Sequence, residues 1–561
     1  MKKYLILLSF IFIGALLLRV VGISSFPVGF TQDEAGLGYD AYSLLLTGKD
    51  QWGKSLPLVL RSFGDFKMPL YSYLAIPSVY LLGLNEFSVR LPNAILGSLA
   101  VLTTFLMVSK ITKRKELGLL SALFLAVSPW HIGLSRGAFE ANLTTFFIPL
   151  GVWAFVTAIE KPRFMVLAAI SFGLNLFSYH SARLFTPVLI LVLVGSYLKE
   201  LKQMGAKVQG IILSKYKWGL LIFSVFLATA IFTMFTGGAK RGLDITIISP
   251  TDNWAAVADR RYEATLQGFP DFYARIFSNK VSYVFETFSK NYLSYFSSSF
   301  LFSEGAGEWS YGLIPGRGVL YVFEVIFVLA AIFSFAKKEG FNKMGLFLLW
   351  ILISPIAAAL TKGPGFAANR AAVMIPAIQV ISVWGGVYLY EKLKGRYGNG
   401  LAKGFAWGVL IILLGSLAGF LEDYRYHAPL RASKAMQYGM KDIMATINSI
   451  EGNYEGVVLS RTLSVPNIWA QFYMQVDPSE VQDASRVWLR YEKLGIKYLD
   501  QLNEYSMAEF TFGDIVISDL KGMNYLVVGR PEEFPSHVAP LATFTYLDGA
   551  PSYILVDANE L

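Results

Sequence analysis

The sequence predicts a polytopic α-helical membrane protein with about 11 transmembrane helices, followed by a small extracytoplasmic α/β domain at the C-terminus. Composition is the first observation, because 54% of the 561 residues are hydrophobic and only 16% are charged. That is too apolar for a soluble globular protein. The second observation is that apolar runs long enough to cross a hydrocarbon core of roughly 30 Å recur along most of the chain. The third is an uneven distribution of basic residues between alternate loops.

Eleven apolar runs are predicted to form the transmembrane helices. The runs lie at 4–23, 92–109, 117–131, 142–159, 164–178, 184–198, 218–236, 319–336, 344–360, 371–390 and 402–420. The first run follows Lys2 and Lys3, as the apolar part of a signal peptide does. Because it is about 20 residues long and lacks a small-residue cleavage site, we expect it to remain as a membrane anchor.

The basic residues predict the orientation of these helices. One set of alternate loops, which includes the N-terminus, carries 20 lysines and arginines, whereas the short loops of the other set carry 4. The positive-inside rule assigns the first set to the cytoplasm. Two long loops, 24–91 and 237–318, are then extracytoplasmic. We therefore divide the chain into a multispan domain, 1–421, and an extracytoplasmic domain, 422–561, of a plasma (inner) membrane protein.

The C-terminal segment has the pattern of a small α/β domain. It opens with a predicted amphipathic helix from Ala432 to Ile450, in which methionine and isoleucine recur at helical spacing. A strand at 456–460 and a helix near 466–475 follow, and further strands are predicted in FTFGDIVIS, MNYLVV and PSYILV. In the second long loop, the aromatic-rich segment 272–302 predicts a helix that lies at the membrane interface or packs against the transmembrane bundle.

Several classes of function are excluded by what the sequence lacks. The chain has no cysteine, which excludes disulfides, thiolate nucleophiles and iron–sulfur clusters. It has no D-x-D pair, no G-x-x-x-x-G-K-[ST] loop and no H-E-x-x-H motif, so no site for a nucleotide sugar, a nucleoside triphosphate or a catalytic zinc ion is predicted. The net charge is +9, but the basic residues sit in short loops between apolar runs, so we expect no nucleic-acid partner. No cofactor or metal ion is indicated.

The stretch FTQDEAGLGYD, soon after the first run, carries two adjacent acids, Asp33 and Glu34. Thr31, followed three residues later by Glu34, has the form of a capping box at a helix start. The box accounts for Glu34, which we also expect to line the substrate site, and leaves Asp33 without a structural task. Asp33 lies in the first turn, where the helix dipole favours an ionised carboxylate. We therefore predict that Asp33 is a catalytic base.

Four basic residues lie near the outer ends of predicted spans or in the first long loop, where the positive-inside rule disfavours them: Lys67, Arg136, Arg183 and Arg370. Phosphate is their natural partner, because arginine binds phosphate oxygens in pairs and lysine adds a point charge. For any one of them, the alternative is that it snorkels or binds a bulk lipid headgroup. Together, the four predict a donor that carries a phosphate group.

Four further residues of the outer segments are predicted to contact the substrate: Tyr39, Glu140, Tyr179 and His180. His180 stands in YHSAR, at 179–183, which directly precedes the predicted span 184–198. Glu140 and Glu304 are the next candidates for the base if Asp33 does not serve.

The ordered set of motifs resembles a known group of enzymes. After the DE pair come KMPLY at 67–71, RLPN at 90–93, SPWHIGLSRGAFEAN, SYHSARLFTP and an NR-x-x-x-M-x-P pattern at 369–376. Over residues 1–420 the chain resembles the bacterial protein O-mannosyltransferase-like glycosyltransferases of family 39. These are type C glycosyltransferases, related to the lipid A aminoarabinose transferases. Two positions depart from the family, since Phe66 and Ala367 stand where relatives often have glutamate and histidine.

The resemblance implies a multispan type C glycosyltransferase architecture. It also implies transfer of a hexosyl or pentosyl group from a polyprenyl-phosphate donor to an acceptor hydroxyl of a glycan, lipid or protein, on the extracytoplasmic face and with inversion. Asp33 then corresponds to the base of the family, and Lys67 to its loop lysine. The main alternative is a lipid or glycolipid transporter or flippase, although transporters usually place their polar sites near mid-membrane. A membrane-anchored scaffold is a third interpretation.

Overall fold

The computed structural model describes residues 2–63, 66–201, 212–235, 246–339, 341–363, 367–496 and 499–561. In the multispan part its helices are α1 (Lys2–Val20), α2 (Gln32–Thr47), α3 (Leu70–Leu82), α4 (Glu86–Thr112), α5 (Lys115–Val127), α6 (Pro129–Ser135), α7 (Thr144–Ala158), α8 (Phe164–Asn175), α9 (His180–Ser196), α10 (Ile212–Thr233), α11 (Pro250–Leu266), α12 (Asp271–Phe277), α13 (Lys280–Ser294), α14 (Glu324–Ala336), α15 (Phe341–Ile353), α16 (Pro355–Ala359), α17 (Ile375–Tyr397) and α18 (Asn399–Glu422). Parts of the predicted loops 199–217 and 237–318, and the end of the predicted span 218–236, lie outside the described residues.

The prediction of a polytopic helical membrane protein is confirmed. Within the described residues, six helical stretches are long and apolar enough to cross a membrane, and a bent pair formed by α5 and α6 makes up to seven. Shorter apolar helices occupy the other predicted runs: Phe164–Asn175, His180–Ser196, Glu324–Ala336 and Met344–Ala359. Each of the eleven predicted runs therefore overlaps a helix, but about half of them reach spanning length as one straight helix.

The run predicted at 117–131 is broken into α5 and α6, which meet at an angle of 59°. The break lies at Pro129, which has no N–H to continue the helical hydrogen bonds. Two carbonyl groups before the break find other partners. The Ala126 carbonyl accepts a hydrogen bond of 3.0 Å from the buried Arg19 guanidinium, and the Val127 carbonyl accepts one of 2.7 Å from the Tyr321 hydroxyl. Such replacement is required where no water reaches the backbone.

The first long loop is folded around α2. It also contains a two-stranded antiparallel hairpin, β1 (Leu60–Arg61) and β2 (Phe66–Lys67), and then the apolar helix α3. Leu60 pairs with Lys67 in this hairpin, so Lys67 is held by backbone pairing close to α2. The aromatic segment of the second long loop forms α12 and α13. Asn291 on α13 donates to the Ala359 carbonyl of the bundle, while Phe285 on the same helix is 72% exposed, so α13 packs on the bundle and keeps an open apolar side.

The C-terminal domain is a small α/β unit, as predicted. Its elements are α19 (Ala428–Ala432), α20 (Met440–Ile450), β3 (Gly456–Ser460), α21 (Pro466–Tyr473), α22 (Pro478–Lys493), β4 (Glu504–Met507), β5 (Phe510–Gly513), α23 (Ile517–Leu520), β6 (Tyr525–Gly529), β7 (Ala542–Thr545) and β8 (Pro551–Asp557). The sheet has the order β4-β5-β3-β6-β8-β7. Strand β3 is parallel to β5 and β6, and the remaining pairs are antiparallel.

Three details of this domain differ from the sequence-based expectation. The amphipathic helix starts at Met440 and not at Ala432, because Gly439 before it has a left-handed φ of 97°. The apolar stretch FTFGDIVIS is a strand only at Phe510–Gly513, after which the chain turns into α23. Helix α22 was not predicted, because its apolar residues form only a narrow stripe on a largely polar helix.

The C-terminal domain shares a hydrophobic core with α2. Phe472 on α21 packs on Phe30, with ring centroids 4.9 Å apart. At Gly38, helix α2 is in close contact with both α4 and the C-terminal domain. A Cβ atom at this position would lie 2.5 Å from Val89 of α4 and 2.9 Å from Phe472 of the domain. Both distances are too short for real contacts, so only glycine lets α2 lie between α4 and the domain.

Candidate active site

The first turn of α2 is the centre of the candidate site, and its capping box is present as predicted. The Thr31 hydroxyl accepts from the Glu34 N–H, and the Glu34 carboxylate accepts from the Thr31 N–H at 3.1 Å. Successive residues of a helix point about 100° apart. Gln32, Asp33 and Glu34 therefore face three different parts of the molecule.

Glu34 faces the protein interior. Its side chain is fully buried and forms a bidentate ion pair with Arg90, with distances of 2.8 Å to Nε and 2.9 Å to Nη2. The Ala138 N–H donates to the same carboxylate at 2.8 Å. Arg90 in turn donates to the carbonyls of Ile23, Pro27 and Gly29, just before α2. The pair therefore fixes the start of α2, and the expected role of Glu34 in lining the substrate site gains no support from this geometry.

Asp33 faces the hairpin of the first loop. Its Oδ1 lies 2.8 Å from Nζ of Lys67, which also donates to the Asp33 carbonyl at 3.2 Å. The lysine side chain is 9% exposed, whereas that of Asp33 is 43% exposed. The arrangement thus presents an accessible carboxylate next to a largely buried cation.

A second group of polar side chains comes from three separate segments. Arg370 donates to the Thr361 hydroxyl and the Lys362 carbonyl, both at 2.7 Å, and the neighbouring Asn369 donates to the Tyr179 hydroxyl at 3.3 Å. Burial raises the pKa of the Glu308 carboxyl, and the charge of Arg370 opposes this shift. Arg370 and Glu308 therefore lie within electrostatic reach of each other.

Tyr311 connects this group with the first turn of α2. Burial raises the pKa of its hydroxyl well above the usual range, and the charge of Asp33 adds to this shift, followed by Tyr179, Glu308 and Glu140. The structure thus brings Asp33, Lys67, Glu140, Tyr179 and Arg370 of the sequence-based set into one region. Glu308 and Tyr311 were missed, and only the glycine-rich, acidic and aromatic composition of EGAGEWSYG could have pointed to them.

Arg136 and Arg183 are engaged elsewhere. The Arg136 guanidinium donates to the carbonyls of Leu18 at 2.6 Å, Val21 at 2.9 Å and Phe26 at 3.0 Å, so it closes the end of α1. Arg183 donates to the Thr233 hydroxyl at 2.8 Å. Both arginines therefore hydrogen-bond to other parts of the protein and hold neighbouring segments together. The phosphate-binding role predicted for these two arginines stays a prediction without support from their contacts.

The two remaining substrate candidates differ in position. His180 lies at the start of α9 and its Nε2 is 2.7 Å from the Phe66 carbonyl, so it supports the strand that carries Lys67. Tyr39 is fully buried in the core shared with the C-terminal domain, where its hydroxyl donates to the Val476 carbonyl at 2.7 Å. A substrate contact of Tyr39 is therefore inconsistent with this conformation. Among the side chains that the structure describes, no group of three or more His, Asp and Glu is arranged to hold a metal ion.

One family model and several solved structures are similar to this chain. Residues 67–228 match the family model described as dolichyl-phosphate-mannose-protein mannosyltransferase, and this stretch includes Lys67, Arg90 and His180. A comparison with curated proteins gives no match.

Among solved structures, ArnT from Cupriavidus metallidurans is similar over the whole chain. The form bound to undecaprenyl phosphate has a TM-score of 0.51 at 13% identity, and the apo form has a TM-score of 0.54 at 12% identity. Both alignments cover 100% of this chain and 99% of ArnT. The alignment with an oligosaccharyltransferase from Archaeoglobus fulgidus, solved with Zn and sulfate, covers 83% of this chain and 61% of that chain, with 14% identity and a TM-score of 0.47.

The mannosyltransferase subtype is not settled by these matches, but the broader resemblance predicted from the sequence is confirmed: the chain has the type C glycosyltransferase fold, and its residues 67–228 carry the sequence pattern of the dolichyl-phosphate-mannose-protein mannosyltransferase family.

Proposed function

We propose that the protein transfers a hexosyl or pentosyl group from a polyprenyl-phosphate donor to an acceptor hydroxyl at the extracytoplasmic face of the plasma membrane. The observation that carries this proposal is the pairing of an accessible carboxylate, Asp33, with a buried cation, Lys67, at 2.8 Å. The donor class is supported by the fold shared with ArnT, one structure of which holds undecaprenyl phosphate.

The reaction is a single displacement that inverts the anomeric centre. The acceptor oxygen attacks the anomeric carbon while Asp33 takes the hydroxyl proton. The bond between the anomeric carbon and the phosphate oxygen breaks, and the phosphate leaves with the electron pair. Preorganised cations at the leaving group lower the barrier, and loss of one such group typically costs roughly 10²–10³ in rate.

Lys67 and Arg370 are the cations best arranged for the leaving phosphate. Lys67 already lies 2.8 Å from the Asp33 carboxylate, so a phosphate bound there gains a cation that is held in place next to the base. Arg370 uses Nη1 for Thr361 and Lys362, and its Nε and Nη2 have no partner among the described residues. These two nitrogens form the pair that binds phosphate oxygens side by side. Arg136 and Arg183 remain candidates through their charge only.

The proposal is tested by a deletion strain that is complemented with the wild-type gene, with Asp33→Asn or with Asp442→Asn. Asp442 is the matched control, because it is also an exposed aspartate in the first turn of a helix. Mass spectrometry of glycans, lipids and proteins measures the missing sugar. We expect it to return with the wild type and with Asp442→Asn, and to fall by at least about 10²-fold with Asp33→Asn.

Binding of undecaprenyl phosphate to the purified Asp33→Asn protein should stay close to wild type. Full restoration of the sugar by Asp33→Asn would remove Asp33 from the role of base. A deletion strain with an unchanged inventory of glycosylated components, but with a lipid redistributed across the membrane, would favour the transporter alternative.

A further inference from the structure

Gln32 connects the candidate site with the C-terminal domain. Its backbone N–H donates to Oε1 of Gln437 at 2.8 Å, and Nε2 of Gln437 donates back to Oε1 of Gln32 at 2.6 Å. The Ser464 hydroxyl donates to the same Gln32 oxygen at 3.2 Å. Because Gln32 Oε1 accepts both bonds, the orientation of its amide is fixed, and Nε2 has no partner among the described residues. The C-terminal domain thus reaches the residue next to Asp33.

The residues that make these contacts have unusual backbone conformations. Gln437, Ser464 and Val465 have positive φ angles of 52°, 51° and 52°. Such angles are uncommon outside glycine, and for the β-branched Val465 they are a genuine outlier. Conformations of this kind are strained and persist only where the surroundings enforce them.

The surroundings of Ser464 do enforce its conformation. The buried Trp469 donates from Nε1 to the carbonyls of Leu463 at 3.2 Å and Ser464 at 3.3 Å. Tyr553 donates to the Thr462 carbonyl at 2.9 Å, and the Thr462 hydroxyl donates to Glu533 at 2.8 Å. Residues 462–464 belong to the loop 461–465, which begins directly after β3 ends at Ser460. Strand β6 ends at Gly529, four residues before Glu533. The loop therefore occupies the carboxyl edge between two parallel strands, where ligands bind in open α/β sheets.

We propose that Ser464, Gln32 and Gln437 form the acceptor-binding wall of the site, and that Ser464 hydrogen-bonds an uncharged, hydroxyl-bearing part of the acceptor during transfer. This inference rests on the proposed function. The three side chains carry amide and hydroxyl groups and no charge, which suits the neutral hydroxyl groups of an acceptor. Lys67 contacts Asp33 itself, whereas the C-terminal domain contacts its neighbour Gln32, so donor phosphate and acceptor are held by different residues of the same turn.

The first test is Ser464→Gly in the full-length protein. Glycine tolerates the positive φ, so the variant removes the hydroxyl and relieves strain at the same time. We expect the unfolding temperature to stay equal or rise and undecaprenyl phosphate binding to be unchanged. Sugar transfer should fall by roughly 3- to 10-fold, the effect of one lost hydrogen bond. Unchanged transfer by this variant would reduce Ser464 to a structural residue.

The second test uses the absence of cysteine from the chain. Ser464→Cys is compared with Ser449→Cys, an exposed serine at the end of α20, where the chain approaches the amino end of β3. A bulky, membrane-impermeant thiol reagent is applied after folding, and each untreated variant serves as its own reference. We expect treatment to abolish transfer by Ser464→Cys, to leave Ser449→Cys unaffected, and to change undecaprenyl phosphate binding in neither protein.

Equal transfer by both treated variants would refute the proposal that Ser464 is part of the acceptor-binding wall. Lost undecaprenyl phosphate binding in treated Ser464→Cys would overturn it too, because the loop would then belong to the donor site. Both results leave the sugar difference between wild type and deletion strain in place. Failure of the proposed function removes that difference itself, so the two failures are distinguishable.

Discussion

Replacing Glu34 by glutamine should destabilise the protein far more than replacing its neighbour Asp33 by asparagine. The Glu34 carboxylate accepts five hydrogen bonds: two from Arg90 at 2.8 and 2.9 Å, one each from the N–H groups of Ala138 at 2.8 Å and Thr31 at 3.1 Å, and one from the Thr31 hydroxyl at 3.4 Å. A glutamine has one acceptor oxygen. If that oxygen stays at the Oε1 position, its NH₂ group faces the donors Arg90 Nη2 and Thr31 N–H. In the flipped orientation it faces Arg90 Nε and Ala138 N–H.

In either orientation two buried N–H donors lose their acceptor, and one of the two belongs to the charged Arg90. Breaking a buried ion pair from one side costs roughly 3–5 kcal/mol. Thermal unfolding of the detergent-solubilised proteins, followed by tryptophan fluorescence, measures the effect. We expect a clearly lower unfolding temperature for Glu34→Gln and a much smaller decrease for Asp33→Asn, whose side chain is 43% exposed and whose amide oxygen can still accept from Lys67. Equal unfolding temperatures for Glu34→Gln and wild type would refute the assignment of Glu34 as a structural anchor.

Three further outcomes follow from particular contacts. Arg370→Ala should weaken undecaprenyl phosphate binding, whereas Arg136→Ala should mainly lower the unfolding temperature, because Arg136 donates to carbonyls at the end of α1. Equal loss of binding in both variants would instead support the sequence-based prediction that Arg136 also binds the donor phosphate. Burial raises the pKa of Asp40 well above its usual range. The folded protein then keeps a proton that the unfolded chain releases above about pH 4, so stability falls as the pH rises through that window. Asp40→Asn, which can still accept from the Gln51 N–H, should raise the unfolding temperature at pH 7 but not at pH 4, and an equal gain at both would contradict this. A cysteine at the exposed Ser518 should react with an impermeant label in intact spheroplasts, and no reaction would reverse the predicted orientation.

Local sequence signals predicted the parts of the site that local physics determines. The capping box from Thr31 to Glu34 is complete within four residues, and β3 is a short apolar run between turn residues. Both were predicted where they occur. The apolar runs were predicted for the same reason, although length alone could not show that Pro129 breaks one of them.

Long-range partners left no comparable signal. Arg90 and Glu34 are 56 positions apart, and the RLPN motif does not reveal which carboxylate its arginine binds. A basic residue near the end of a span can serve a phosphate or a helix end equally well, and only the carbonyls around Arg136 distinguish the two. Tyr39 lies near the acids in sequence, but the helix turns its side chain into the core shared with the C-terminal domain.

The position of Gly38 has a consequence for exchanging parts between related proteins. Because α2 touches α4 on one side and Phe472 on another through a position that holds no side chain, the C-terminal domain and the helix that carries Asp33 have interlocking shapes. A chimera that takes residues 433–561 from a relative should therefore be more stable when α2 comes from the same parent. The unit that can be swapped is defined by this contact, and it is discontinuous along the gene.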